Sequence, residues 1–238
     1  LRDLLTGTDT LIPPTSSMGR IRASCVSAAG DVAWLESTCI MPDGSGCGAY
    51  DALVLRAGGS TSVLTTMNAG YGQLMQTDGR HIGFSYRSFS TMVPEFRLYD
   101  MSGLAVASSG ITSLFFTPPV GFALRNGWTA YMEPDSDPLS PEIVRRRSPT
   151  GATETVSGFP GSTRVETIAD DGQVMMLAYA SAKYPRRWLG APPAVPRLLS
   201  SAAVGKAYPL PGQWYVAIGR TLFKVNSATI TSAGDGGV

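Results

Sequence analysis

Short, mostly apolar runs recur along the chain, each beginning just after a tight turn. In QTDGRHIGFSYRSFSTMVPEFRLYDMSG, from Gln76 to Gly103, a polar turn leads into one such run, and a looser loop leads into a second run and another turn. Runs of this length, bounded by turn residues and rich in β-branched and aromatic side chains, are typical of buried strands. The pattern therefore predicts two strands joined by a loop.

The unit is used five times, and a glycine marks each copy. The runs AAGDVAWLES, TDGRHIGFSY, LRNGWTAYME, DDGQVMMLAY and LPGQWYVAIG share one template and recur at intervals of 40 to 49 residues. Glycine adopts the positive φ that tight hairpin turns require, and a preceding Asp or Asn adds further turn chemistry. The five turn glycines are Gly30, Gly79, Gly127, Gly172 and Gly212.

A second pair of strands follows each template copy. Small-residue turns divide the segments Asp51–Thr66, Glu95–Gly110 and Glu142–Gly158, with a proline-distorted copy at Arg186–Ser201 and a late copy at Arg220–Gly234. Four short strands per repeat of this length are typical of a propeller blade. We therefore predict an all-β fold, a β-propeller of four-stranded antiparallel blades with about five repeats. An irregularly spaced β-sandwich is the alternative.

The stretch from Gln76 to Gly103 also resembles the WD40-like repeat of TolB-type propellers. The resemblance is looser around Gly30 and Gly212, where Ala29 and Pro211 take the place of the turn aspartate. It implies a propeller, and such propellers occur as protein-binding modules, as gating domains of serine peptidases, and in secreted bacterial proteins. The matching residues are Asp78, Gly79, Arg80, Ser85, Arg87, Tyr99, Asp100 and Gly103.

The ends of the chain set the predicted domain boundaries. We predict a propeller over residues 1–231, with a partial first blade at 1–14, and a flexible linker at 232–238. Leu1–Pro14 resembles the outer half of a blade, yet Thr221–Val225 and Ala228–Thr231 already supply outer strands for the last blade. An arc of a larger propeller is therefore favoured over a closed ring of five.

Charge and hydropathy narrow the range of partners. Charged residues are 16% of the 238 and the net charge is +1, which argues against a nucleic acid or membrane surface recruited by bulk charge. No apolar run is long enough for a membrane-spanning helix. We expect no nucleic-acid partner and no membrane insertion, and we expect contacts with other domains of the same polypeptide.

Candidate catalytic chemistry is sparse. The sole histidine, His81, follows a turn glycine and is expected to be a partly buried strand residue, because no G-x-S-x-G motif accompanies it. Glu36 and Glu166 are the best candidates for a glycosidase pair, although solvated carboxylates at blade edges are the simpler interpretation. One histidine and three dispersed cysteines exclude the usual zinc spacings. We expect no cofactor, no bound metal and no enzymatic activity.

The cysteines bear on the compartment of the protein. Cys39 and Cys47 flank a turn-rich loop, and a disulfide between them would add about 2–3 kcal/mol of stability. Cys25 lies in an alternating segment and is expected to be a buried free thiol. The pair favours a secreted or periplasmic protein.

We therefore expect a non-catalytic recognition or scaffold module of a larger, exported bacterial protein. Its ligand, a protein or a glycan, should contact the long loops between the second and third strands of the blades. The alternatives are an accessory propeller that gates a separate hydrolase domain, and a glycan-binding or glycoside-cleaving propeller. The predicted ligand-binding residues are Arg87, Phe89, Glu133, Asp135, Asp137 and Tyr184.

Overall fold

The fold is known from a computed structural model. It describes residues 7–15, 19–37, 50–68, 70–88, 94–110, 121–133, 143–156, 163–178, 186–191, 194–200, 207–210, 213–218 and 221–226. Within these ranges the regular secondary structure consists of β-strands, and the nineteen strands form five antiparallel sheets in chain order. None of the described elements is a helix that could cross a membrane.

Each sheet is a meander of consecutive strands. The first contains β1 (Arg20–Val26), β2 (Val32–Ser37), β3 (Tyr50–Ala57) and β4 (Ser60–Asn68). The second contains β5 (Gly70–Thr77), β6 (His81–Ser88), β7 (Pro94–Asp100) and β8 (Ala105–Gly110). The third contains β9 (Phe122–Arg125), β10 (Trp128–Glu133), β11 (Ile143–Arg147) and β12 (Thr153–Val156). The fourth contains β13 (Thr163–Ile168), β14 (Val174–Ala178), β15 (Arg186–Ala191) and β16 (Ala194–Ser200), and the fifth contains β17 (Ala207–Leu210), β18 (Gln213–Ile218) and β19 (Thr221–Asn226).

In the first four sheets the strand after the template glycine is buried on both faces. The interior side chains of β2 and β10 are buried, and so are residues 82–86 of β6 and the first three of β14. This agrees with the apolar runs in the sequence, because a strand between two other strands and two neighbouring sheets has no solvent face. The first four runs predicted as buried strands are confirmed, and the fifth is a strand whose Trp214 is buried.

Apolar contacts join the sheets in sequence. Leu35 and Leu53 of the first sheet share a core cluster with Ile82 and Phe84 of the second. A larger cluster continues from Phe96 of the second sheet through the third and into the fourth. The first strand of each sheet packs beside the first strand of the next, from β1 to β17. Between β1 and β17 themselves the described residues make no comparable contact, which is consistent with an arc of blades.

The turns use their glycines as expected. Gly79 has φ +86° between β5 and β6, and Gly103 has φ +88° between β7 and β8. At Gly103 a Cβ atom would also lie 2.7 Å from the carbonyl oxygen of Leu64 in the first sheet. Glycine is therefore required there both for its backbone conformation and for the close approach of two sheets.

Parts of the predicted layout lie outside the described residues. These parts are residues 1–6 of the partial first blade, the turn glycine Gly212, and the linker at 232–238. The domain boundaries and the choice between an arc and a closed ring stay predictions. Cys25 has a free thiol, as expected, but it is half-buried rather than fully buried. Burial raises the pKa of that thiol to about 12.

Candidate functional site

The two edges of the stacked sheets differ in their connections. We call the edge that carries the turns between first and second strands the turn rim, and the opposite edge the loop rim. The second strands end at the loop rim with Ser37, Ser88, Glu133 and Ala178, and the connections to the third strands leave from there. These connections span residues 38–49, 89–93, 134–142 and 179–185. The predicted ligand-binding residues belong to these connections or to their flanks.

Arg87 and Glu133 are the two predicted binding residues that the structure describes. Arg87 lies on the same face of β6 as Gly83, where a Cβ atom would be 2.9 Å from Leu124 of the third sheet. Glu133 shares a face of β10 with Tyr131, which stacks on Phe96 of the second sheet at 5.0 Å. Arg87 and Glu133 therefore face the same seam, between the second and third sheets, at the loop rim. Phe89, Asp135, Asp137 and Tyr184 lie outside the described residues, as do Cys39 and Cys47.

Glu133 is already part of an ion pair. The Nε of Arg145 on β11 lies 2.7 Å from the Oε2 of Glu133, and each side chain is about a third exposed, at 31% and 29%. Arg145 also donates a hydrogen bond to the hydroxyl of Thr155. Burial, together with the charge of Glu133, raises the pKa of Tyr131 beside the pair. A ligand at this seam would meet a fixed pair of opposite charges and not an isolated carboxylate.

A second polar group occupies the seam between the first and second sheets. The hydroxyl of Tyr86 donates to Oδ2 of Asp51 at 3.0 Å and also contacts the backbone carbonyl of Asn68. The guanidinium of Arg97 lies 4.9 Å from the centre of the Tyr86 ring and pairs with Glu95 at 2.7 Å. Burial and the neighbouring Asp51 raise the pKa of Tyr86 above its ordinary value.

The sequence patterns did not predict this group. A signal for it was present, because Asp51 begins the segment DALVL and Glu95 begins EFRLY, each at the start of a third strand. An acidic residue in the same position of two repeats indicates a shared role at the loop rim. Tyr86, the partner of Asp51, lies in the neighbouring sheet, and Arg97, the partner of Glu95, lies on the same strand. Spacing in the sequence alone does not reveal these pairs.

The turn rim is held by aspartates that bridge consecutive sheets. Oδ1 of Asp78 accepts hydrogen bonds from the backbone N–H groups of Arg80 and His81, at 2.9 and 2.8 Å. Its Oδ2 accepts one from the N–H of Gly127 in the third sheet, at 2.6 Å. Burial alone would raise the pKa of Asp78, but hydrogen bonds from His81, Arg80 and Gly127 lower it to about 2. Asp78 is therefore an ionised link between two sheets.

The next seam repeats this device with different residues. Oδ1 of Asp170 in the fourth sheet accepts from Nε of Arg125 at 2.7 Å and from Nδ2 of Asn126 at 2.8 Å. Nη1 of Arg146 on β11 donates to the carbonyl of Gly172 at 2.8 Å. Charged side chains at the turn rim thus hold one sheet to the next, which accounts for them without a ligand.

The candidate catalytic residues are dispersed. His81 is partly buried, as predicted, with 13% of its side chain exposed, and its Nδ1 lies 3.8 Å from Asp78 in the turn network. In the described ranges no three His, Cys, Asp or Glu side chains are grouped to hold a metal ion. Glu166 is half-buried at a β-bulge in the fourth sheet.

The expectation that Glu36 is a solvated edge carboxylate is wrong. Its side chain is fully buried in the first sheet, at 0% exposure. Oε2 accepts from the backbone N–H of Thr15 at 2.8 Å and from Nε1 of Trp34 at 3.0 Å, while Oε1 accepts from the Thr15 hydroxyl at 3.0 Å. The N-terminal segment, which lies far from β2 in sequence, provides two of these donors.

Comparison with solved structures decides the fold. A prolyl endopeptidase superposes with a TM-score of 0.57 and 12% identity, over 89% of this chain and 35% of that one. The β-propeller domain of the Trilobed protease from Pyrococcus furiosus superposes with a TM-score of 0.54 and 10% identity, over 85% and 65%. The chain has a β-propeller fold. This confirms the fold expected from the repeats.

The narrower family stays open to test. TolB from Acinetobacter baumannii matches with a TM-score of 0.46 and 14% identity, over 87% of this chain and 54% of that one. No family model matches the chain, and no protein with a curated description matches it in sequence. The chain spans between about a third and two thirds of the length of these three solved proteins. The TolB-type repeat therefore stays a prediction within the propeller fold.

Proposed function

We propose that this propeller is a non-catalytic recognition or scaffold module of a larger, exported bacterial protein. The observation that carries the proposal is the contrast between the two rims. Hydrogen-bonded turns close the turn rim, whereas the connections 38–49, 89–93, 134–142 and 179–185 all leave from the loop rim. Long loops on a rigid scaffold are the usual place for recognition.

The environment of the titratable residues supports a binding role over catalysis. His81 and Asp78 belong to a turn network that links two sheets, and Glu36 is enclosed by its donors. At the loop rim Arg87 and the ion pair Glu133–Arg145 are partly exposed and face one seam. Charges fixed in this way favour a polar ligand with both acidic and basic groups, such as a peptide segment.

A display experiment tests this proposal. Heptapeptides are selected from a random displayed library against the immobilised chain. Their affinities for the parent chain and for Arg87→Ala are then measured by calorimetry. Arg80→Ala is the matched control, because Arg80 is an exposed arginine on the turn rim. We expect Arg87→Ala to weaken binding about tenfold and Arg80→Ala to leave it unchanged. Binding that is insensitive to Arg87, or that depends on Arg80, would contradict the placement.

A second experiment distinguishes a peptide ligand from a glycan ligand. A glycan array probed with the labelled chain should give no signal if the ligand is a peptide. Carbohydrate binding that Arg87→Ala abolishes would favour the glycan-binding alternative in place of the peptide. Release of sugar from such a ligand would contradict the non-catalytic role.

An accessory role beside a hydrolase is a second candidate. It is supported by the likeness to the propeller domain of the Trilobed protease and to a prolyl endopeptidase, although a likeness of 10–12% identity concerns the fold alone. The test compares hydrolysis of a chromogenic prolyl peptide by this chain and by the full-length polypeptide. Hydrolysis by the full-length protein alone favours this candidate.

Export is proposed from the cysteines. A disulfide between Cys39 and Cys47 with a free Cys25 predicts one titratable thiol in the denatured, unreduced protein. Three thiols after expression in an oxidising compartment would contradict the disulfide and remove this support for export. The native protein should react slowly, because burial raises the pKa of the Cys25 thiol to about 12.

A further inference from the structure

The turn between β9 and β10 contains the one asparagine–glycine pair of the sequence. The chain has three asparagines, and Asn126 alone is followed by a glycine. Because glycine has no side chain, its backbone nitrogen can approach the side-chain carbonyl carbon of the asparagine before it. Attack of that nitrogen closes a five-membered imide ring, a succinimide, and releases ammonia. Asn126 is therefore the most reactive asparagine of the chain.

The geometry of the turn requires the same two residue types that make the pair reactive. Both central residues have positive φ, +48° at Asn126 and +81° at Gly127. Arg125 and Trp128 pair directly across them, which gives the two-residue hairpin that favours asparagine followed by glycine. Among the described residues, Asn126 is the only one other than glycine with a positive φ.

Two neighbouring sheets hold the two nitrogens that would take part in the reaction. Nδ2 of Asn126, in the leaving amide, donates to Oδ1 of Asp170 in the fourth sheet at 2.8 Å. The backbone N–H of Gly127, which would attack, donates to Oδ2 of Asp78 in the second sheet at 2.6 Å. Ring closure has to remove both nitrogens from these acceptors. The packing of the sheets therefore protects the amide.

The link to the fourth sheet is the weaker of the two. Oδ1 of Asp170 also accepts from Nε of Arg125 at 2.7 Å, and these two side chains are 23% and 34% exposed. Partly exposed ion pairs contribute little to stability. Local opening of this part of the turn rim therefore costs less than unfolding of the sheets and releases the amide of Asn126.

The reaction would change the charge of the link. The bond from the nitrogen of Gly127 to Cγ of Asn126 forms, the Cγ–Nδ2 bond breaks, and the proton of the attacking nitrogen leaves with the ammonia. Water then breaks one of the two imide C–N bonds and gives either aspartate or the isomer whose backbone continues through the side chain. Both products place a carboxylate beside Asp170 where an amide donated before. Two like charges at this distance repel each other.

We propose that Asn126 is a site of spontaneous deamidation that is controlled by opening of the seam between the third and fourth sheets, and that the carboxylate formed there keeps the seam from closing again. The hydrogen bonds to Asp170 and Asp78 keep the amide intact while the seam is closed. Deamidation converts a reversible opening into a permanent one. This inference does not depend on the function proposed for the loop rim, because the site lies on the turn rim.

The first test measures how the link controls the reaction. The folded chain is incubated at mildly alkaline pH, and peptide mapping by mass spectrometry follows conversion of the Asn126 amide to an acid. Asp170→Ala removes the acceptor of the amide and should speed conversion at least about tenfold, with a smaller increase in Asp170→Asn, which keeps an oxygen acceptor. Asp171→Ala is the matched control, because Asp171 accepts from Gln173, and it should leave the rate unchanged.

Unfolded chains show whether the fold sets these rates. In concentrated urea the parent chain and all three variants should react at one rate, because the local sequence is then the same around Asn126. Asn68, which is exposed and is followed by alanine, should stay intact throughout. Equal rates for the folded parent chain and Asp170→Ala, or an Asn126 that stays intact in urea, would overturn the proposal. Asp170→Asn provides the comparison if Asp170→Ala fails to fold.

The second test measures the effect of the new carboxylate. Asn126→Asp reproduces one product and keeps a residue type that tolerates positive φ. Hydrogen exchange of the turns at 125–128 and 169–173, followed by mass spectrometry, should be at least about fivefold faster than in the parent chain. Combining Asn126→Asp with Asp170→Asn exchanges donor and acceptor and should restore most of the protection. Unchanged exchange in Asn126→Asp, or no recovery in the combined variant, would overturn the permanent opening.

Discussion

The turn rim and the loop rim of this propeller are built from the same strands but use charge differently. At the turn rim, Asp78 is held by three backbone N–H groups, one of them from the next sheet. At the loop rim, Glu133 pairs with the side chain of Arg145 on the adjacent strand of its own sheet, partly exposed to solvent. A buried carboxylate that accepts from the backbone connects sheets, whereas an ion pair that is about a third exposed contributes little to stability.

The largest expected effect that separates the rims is the loss of Asp78. Asp78→Ala leaves the N–H groups of Arg80, His81 and Gly127 without their acceptor and should cost about 3 kcal/mol of unfolding free energy. Urea denaturation measures the change. Asp171→Ala is the control, since Asp171 is exposed and accepts only from Gln173. Equal losses in the two variants would remove the contrast between the rims.

The same carboxylate makes stability depend on pH. Because the folded pKa of Asp78 is about 2, below its ordinary value of 3.8, its contribution is present above pH 4 and is lost as the pH falls towards 2. The loss should be about 2 kcal/mol, which is the free energy of a shift of nearly two pKa units. Subtracting the stability curve of Asp78→Asn from that of the parent chain isolates this contribution. A constant difference from pH 5 to pH 2 would show that Asp78 is not the group responsible.

A smaller loss is expected for the buried polar group at the loop rim. Tyr86→Phe removes the donor to Asp51 and should lower the unfolding free energy by about 1–2 kcal/mol. The aromatic ring of residue 86 and its edge-to-face contact with Phe84 at 6.2 Å are retained. Thermal and urea denaturation of Tyr86→Phe, with Tyr99→Phe as the comparison variant, would measure what the hydroxyl of Tyr86 contributes to stability. No change in Tyr86→Phe would show that the hydroxyl of Tyr86 makes no net contribution to stability.

The smallest effect is expected at the predicted binding pair. Glu133→Gln weakens a pair whose side chains are 29–31% exposed and should change stability by less than about 1 kcal/mol. High salt should reduce the difference further, because solvent screens exposed charges. Denaturation at low and high salt checks both points. A loss as large as that of Asp78→Ala would place Glu133 among the structural residues and remove it from the binding surface.

The sequence predicted the repeated elements more closely than the contacts between them. Turn glycines such as Gly79 and apolar runs such as HIGFSY are local signals, and the strands lie where those signals place them. The link from Asp78 to Gly127 and the enclosure of Glu36 by Thr15 join residues far apart in sequence. No periodicity encodes such pairs, because they depend on how one sheet is oriented on the next.

The apolar clusters between neighbouring sheets bear on how the number of blades can change in evolution. Each described sheet packs mainly on the sheets next to it in the chain, through clusters that end at the faces of its neighbours. Energies that are sums over adjacent pairs allow one unit to be duplicated or lost without rebuilding the others. Duplication within the gene can therefore change the number of blades in single steps, without a new core having to be built each time.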